Sequence, residues 1–109
     1  FRSQEQIATP VREKEEIPAA FKLYQNYPNP FNPSTVITYQ LSLPGRVSLK
    51  VYDLLGREAA VLVNEFQQPG TYKYQFQPGW SDSKLSSGVY FYRIETGNFA
   101  ETKKLILLK

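Results

Sequence analysis

The side chains able to carry chemistry in this 109-residue chain are mainly carboxylates, because it contains no His, no Cys and no Met. Without Cys or His there is no thiol nucleophile, no disulfide, no imidazole base and none of the soft ligands that transition-metal sites use. Paired acids can still run hydrolysis without His. The candidates are Asp53, Glu58, Asp82, Glu95 and Glu101, but all of them read as turn or exposed-face residues, and no spacing guarantees that two of them converge in one cleft. Asp53, close to Gly56, is better explained as the cap of its own turn. A calcium site near Asp82 would need a denser ladder of acidic oxygens than that loop offers. Tyr52 and Trp80 could stack on sugar rings, or cover the core, which is the more common fate of such rings. The chain therefore reads as non-catalytic, with no cofactor and no metal.

A second set of residues suits recognition rather than catalysis. In Pro28-Asn29-Pro30-Phe31-Asn32-Pro33, proline fixes φ, each preceding residue is pushed extended, and asparagine side chains can satisfy turn backbone groups. The expected result is a stiff, polyproline-II-like lead-in to a strand with Phe31 tucked inward. Such a rigid segment costs little entropy to recognise, so a receptor contact is compatible with the structural role. Gly88 and Tyr90 are assigned to a turn and to the core. Lys103, Lys104 and Lys109 are expected at solvated strand ends, or as a cationic epitope on the terminal strand.

These residues need elements to hold them, and the pattern of the chain is all-β. Ile37, Tyr39 and Leu41 share one face of a strand from Thr35 to Leu41; Val47, Leu49 and Val51 share one face of Arg46 to Asp53. Asp53 to Arg57 reads as a hairpin loop leading to a short strand from Glu58 to Val63, and Pro69-Gly70 as the next turn. Thr71 to Gln77 alternates cleanly, with Tyr72, Tyr74 and Phe76 on the buried side. A strand from Val89 to Thr96 and one from Phe99 to Leu108 flank the hairpin signal Gly97-Asn98. The last strand ends in an apolar run expected to be covered on both faces. With a short extended piece at Leu23-Tyr24, the count is six or seven strands and no helix, which packs as an antiparallel immunoglobulin-like β-sandwich.

Composition agrees with one globular domain: 41% hydrophobic, 21% charged and 15% aromatic residues. The charge of +3 comes from scattered basic residues that form no stripe, which argues against nucleic acid. No apolar run approaches the ~20 residues of a membrane-spanning helix. Residues 1–20 contain two prolines and the mixed run Arg12 to Glu16 and read as a linker or extended arm, followed by the domain at 21–109. The opening Phe1-Arg2-Ser3 is expected to belong to a longer protein, and the end at Leu107-Leu108-Lys109 to be its natural C-terminus.

Several motifs in order are more particular than this pattern requires. The stretch from Leu23 to Thr35 (LYQNYPNPFNPST) resembles the opening of the type A C-terminal sorting domain of the type IX secretion system. Matches follow at Val51 to Arg57 (VYDLLGR), Pro69 to Tyr72 (PGTY), Leu85 to Arg93 (LSSGVYFYR) and Lys103 to Lys109 (KKLILLK). The family is also similar to the immunoglobulin-like module of flagellar hook-capping proteins, so fold likeness alone does not decide function. The resemblance implies a signal domain fused to a passenger, recognised by an outer-membrane translocon after passage through the periplasm of a Gram-negative bacterium. It also implies removal by a sortase-like cysteine protease, surface anchoring of the passenger, and a secreted or cell-surface destination. Two other readings remain open: a surface or filament subunit that homo-assembles by strand addition through residues 1–20, and a carbohydrate-binding module.

Overall fold

A computed structural model describes residues 17–32, 34–78 and 85–108. Within them the order is β1 (Lys22–Leu23), β2 (Thr35–Leu41), β3 (Gly45–Tyr52), β4 (Glu58–Gln67), β5 (Gly70–Phe76), β6 (Gly88–Thr96) and β7 (Phe99–Leu107). Every pairing of these strands is antiparallel, in a three-stranded sheet β1-β2-β5 and a four-stranded sheet β4-β3-β6-β7. This is the two-sheet sandwich that the alternation demands. A strand with one apolar face is stable only when that face is buried against another layer. Thr35–Leu41 turns Ile37, Tyr39 and Leu41 inward, and Gly45–Tyr52 turns Val47, Leu49 and Val51 inward, all of them at 0–1% exposure.

Three strand expectations change. β4 runs to Gln67, well past Val63, and its period-2 signal is blurred by two bulges. Leu49 opposes Val63 while Lys50 opposes Val61, leaving Leu62 extra, and the same shift between Val51 and Tyr52 leaves Ala59 extra. Each bulge flips the alternation, so apolar residues do not keep to one face. β7 does not end as a strand covered on both sides: Leu105 and Leu107 are buried, Ile106 is half-buried and Leu108 is exposed. Gly88 belongs to β6 instead of a turn, opposite Leu107, with a φ of 154° that disfavours a side chain. Gly56 and Gly97 do occupy turns, at φ 83° and 57°.

Two tyrosines tie the layers together. The Tyr92 hydroxyl, on β6, donates to the Tyr24 carbonyl (2.7 Å) and accepts the Asn26 N–H (2.7 Å). The Tyr39 hydroxyl, on β2, donates to Oε1 of Gln67 at the end of β4 (2.7 Å), while its ring stacks on Tyr72 with centroids 5.4 Å apart. Each ring thus fills the core while its polar end reaches a partner at the rim.

Burial pushes the hydroxyls of both Tyr39 and Tyr92 up from 10.0 to about 12. An unfolded tyrosine ionises first, so the stability linked to these groups is complete below about pH 10 and is lost as pH rises toward 12. A gap of this size corresponds to roughly 2–3 kcal/mol for each residue. Urea unfolding followed between about pH 7 and pH 12 is expected to show that fall. Tyr92→Phe is expected to lower stability at neutral pH by about 1–3 kcal/mol, through the lost hydrogen bonds, and to make the alkaline decline shallower.

Candidate functional site

The proline-asparagine segment sits where the two sheets meet at the outer edge of β7. Its backbone is fixed at both ends: Tyr27 exchanges N–H···O bonds with Val36 (3.1 and 3.0 Å), and Phe31 forms a parallel bridge to Leu107. Phe31 N–H donates to the Ile106 carbonyl (3.0 Å), and Leu108 N–H donates to the Phe31 carbonyl (3.0 Å). The segment is not the expected polyproline-II rod. The Tyr27–Pro28 and Asn29–Pro30 bonds are cis, and the chain loops from the edge of β2 across to the edge of β7.

Side chains complete this clasp. Oδ1 of Asn29 accepts the Ile106 N–H (2.9 Å), and Nε2 of Gln25 donates to the Lys104 carbonyl (2.7 Å). Phe31 is 1% exposed and packs on Phe76, ring centroids 5.9 Å apart. Behind the loop lies a polar knot among core residues. Buried Asn26 donates from Nδ2 to Oγ1 of Thr35 (3.0 Å) and to the Pro28 carbonyl (3.2 Å), and the Thr35 hydroxyl donates to that same carbonyl (2.8 Å). Buried amides and hydroxyls are costly unless paired, so this closed set of partners fixes the loop's shape.

The outward side of the loop is polar and apolar in turn. Tyr27 is 80% exposed, and Pro28, Pro30 and Asn32 are exposed, while Asn29 is half-buried and Phe31 buried. Alternate residues therefore anchor and display. Leu108, 49% exposed, follows directly on the bridge to Phe31. Pro33 and Lys109 lie outside the described residues, as do Trp80, Asp82 and the arm 1–16.

The lysines do not form one patch. Lys103 and Lys104 lie within β7, opposite Tyr92 and Phe91, and not at a strand end. Being adjacent on a strand they point to opposite faces. Lys103 is half-buried and pairs with Glu101 (3.4 Å), whereas Lys104 is exposed. Tyr90 belongs to the core as expected, its hydroxyl donating to the Ser86 carbonyl (2.8 Å) and accepting the Ser86 N–H (3.1 Å).

The acids have structural partners. The Asp53 carboxylate accepts the N–H groups of Arg57 and Leu55 (both 2.9 Å) and pairs with the Arg57 guanidinium. These bonds, the Arg57 backbone N–H foremost, hold it below the usual carboxylate range. Glu101 is not on an exposed face: it is half-buried, and Oε1 accepts the Leu23 N–H (3.2 Å), joining β1 to β7. Among the described residues no group of three or more acids is placed to hold a metal ion, and no helix is long and apolar enough to cross a membrane.

The residue pattern singled out the proline-asparagine run but gave no structural role to Gln25, Asn26 and Thr35, which complete the clasp and its polar knot, or to Glu101, which ties β1 to β7. A short polar residue among apolar neighbours at the first inward position of β2, Thr35, was the available signal.

Residues 25–108 match the family model described as the secretion system C-terminal sorting domain, a span that begins at Gln25 of the clasp and ends at Leu108. The chain belongs to this family of sorting domains. It is a C-terminal sorting signal of type IX secretion, a role that implies interaction with that secretion system and an exported, secreted or cell-surface fate. No curated protein and no solved structure matches the chain.

Replacing Asn29 by Ala leaves the half-buried Ile106 N–H without its acceptor. It is expected to cost about 1–3 kcal/mol and to speed amide hydrogen exchange at Ile106 selectively, relative to the β6-paired amides of β7. Unchanged exchange at Ile106 would contradict the clasp.

Proposed function

We propose that the sorting signal is read on the surface made by Tyr27, Pro28, Pro30 and Asn32 together with the end of β7. The outer-membrane translocon is the reader, and the cargo is an upstream passenger. The observation carrying this reading is the division of labour in the loop: Asn29 and Phe31 hold it to β7 while Tyr27, Pro30 and Asn32 stand outside. A receptor meets a surface already ordered and pays little conformational entropy in binding it. Gly88 and Tyr90 support the opposite side of β7 through β6. Lys104 adds positive charge on β7, Lys109 adds a further charge two residues beyond that strand in sequence, and Lys103 serves the Glu101 pair.

The domain performs no catalysis in this scheme. It is the substrate of a sortase-like cysteine protease, which cuts in the linker before Phe21 and joins the passenger to the cell surface after passage through the periplasm and outer membrane of a Gram-negative cell. The linker's polar composition suits an accessible scissile segment.

A reporter passenger fused to this domain in a cell with the secretion system tests the proposal. The double substitution Tyr27→Ala and Asn32→Ala alters only displayed side chains, and it is expected to leave the melting temperature of the isolated domain within a few degrees while abolishing export. Export at the parent level from that stable variant would place recognition elsewhere.

A further inference from the structure

The outer side of β5 is the longest regular strand edge left open among the described residues, since β7 keeps only Ala100 and Thr102 uncovered on its outer side. β1 is two residues long, β4 carries two bulges that spoil it as a pairing template, and the end of β7 is covered by the clasp. β5 instead pairs with β2 without a register shift, from Leu41↔Gly70 to Thr35↔Phe76. The direction of its free groups follows from β2. Val36 exchanges both bonds with Tyr27, and the Thr38 carbonyl accepts Tyr24 N–H, so these residues aim their peptide groups away from β5. Their neighbours Thr35, Ile37 and Tyr39 therefore bond to Phe76, Tyr74 and Tyr72, and the N–H and C=O groups of Thr71, Lys73 and Gln75 point outward. Beside this edge the sandwich is open: half-buried Leu62, Val63, Tyr72 and Tyr74 rim a cavity of about 270 Å³.

We propose that this edge pairs with the same edge of a second copy of the chain, antiparallel about a two-fold axis through Tyr74. Symmetric pairing must set outward residues opposite outward residues, which restricts the register to steps of two. The register centred on Lys73 places two lysines face to face and is disfavoured. Centring on Tyr74 sets Lys73 opposite Gln75, Thr71 opposite Gln77, Tyr72 opposite Phe76 and Tyr74 opposite its counterpart. No like charges meet, and the inward face gains cross-strand aromatic pairs. Pro69 and Pro78, which lack a donor, bracket the paired length. The two three-stranded sheets become one six-stranded sheet whose new inner face covers the half-buried rims. This pairing is independent of the sorting reading.

Sedimentation equilibrium of the full chain, up to about 1 mM, tests it. The expected result is reversible monomer–dimer association. Gln75→Lys opposes two lysine pairs and weakens the dimer, and Gln75→Glu creates two opposite-charge pairs and tightens it, each by roughly two- to thirty-fold. Lys73→Pro removes an N–H that faces away from β2, and is expected to give a folded monomer with an unchanged near-ultraviolet spectrum. A parent protein that stays monomeric, assemblies larger than dimers, or a Lys73→Pro dimer of parental affinity would overturn the proposal. Should Lys73→Pro fail to fold, the Gln75 pair decides: equal effects of Lys and Glu overturn it.

Discussion

The outer edge of β7 has to be satisfied. A terminal strand at the edge of a sheet presents a row of unpaired peptide groups, and this domain closes the end of that row with residues from its own opposite end. Asn29, Phe31 and Gln25 take the N–H of Ile106, the carbonyls of Ile106 and Lys104, and through the Phe31 carbonyl the N–H of Leu108. The contact joins residues 75 to 79 positions apart, so it exists only when the whole sandwich has formed. From this one constraint follow the loop's shape, the inward position of Phe31 and the outward position of Tyr27, Pro30 and Asn32.

The core supports the same junction from beneath. Tyr92 carries its hydroxyl from the centre of β6 to the Tyr24–Asn26 backbone, Asn26 and Thr35 grip the Pro28 carbonyl, and Glu101 holds the Leu23 N–H across the gap between sheets. Side-chain polar groups thus occupy the side of the sandwich where β1 meets β7. The opposite side, between β4 and β5, is held by Tyr39 and Gln67 and remains more open. One end of the domain is rigid and displayed, which suits a signal recognised as a folded surface; a sorting role fits the family to which the chain belongs.

Much of this was legible from residue pattern. The period-2 faces of Thr35–Leu41 and Gly45–Tyr52, the turns at Gly56 and Gly97, and the inward Phe31 all follow from alternation and turn chemistry acting locally. What alternation could not reveal was non-local or irregular. The last four residues of β4, Asn64 to Gln67, show no apolar inward face because they are mostly exposed, and bulges at Leu62 and Ala59 scrambled the faces of the part before them, because an inserted residue reverses which face a side chain meets. Glu101 looked exposed because its partner, Leu23 N–H, lies 78 residues away. The proline-asparagine run looked like a rod because backbone preferences treat each residue singly, whereas its path is set by the edges of β2 and β7. Lys103 and Lys104 were expected at a solvated strand end, but β7 runs on to Leu107 and its geometry sends them to opposite faces.

The central claim is that the loop pinned to β7 is the surface the secretion system reads. Site-specific photocrosslinking in exporting cells addresses it directly, with a photoreactive residue placed at Tyr27, at Asn32, or at Val61 on the exposed face of the distant edge strand β4. The account predicts covalent capture of a translocon component from positions 27 and 32 and none from 61. Capture from 61 with none from 27 or 32 would contradict it.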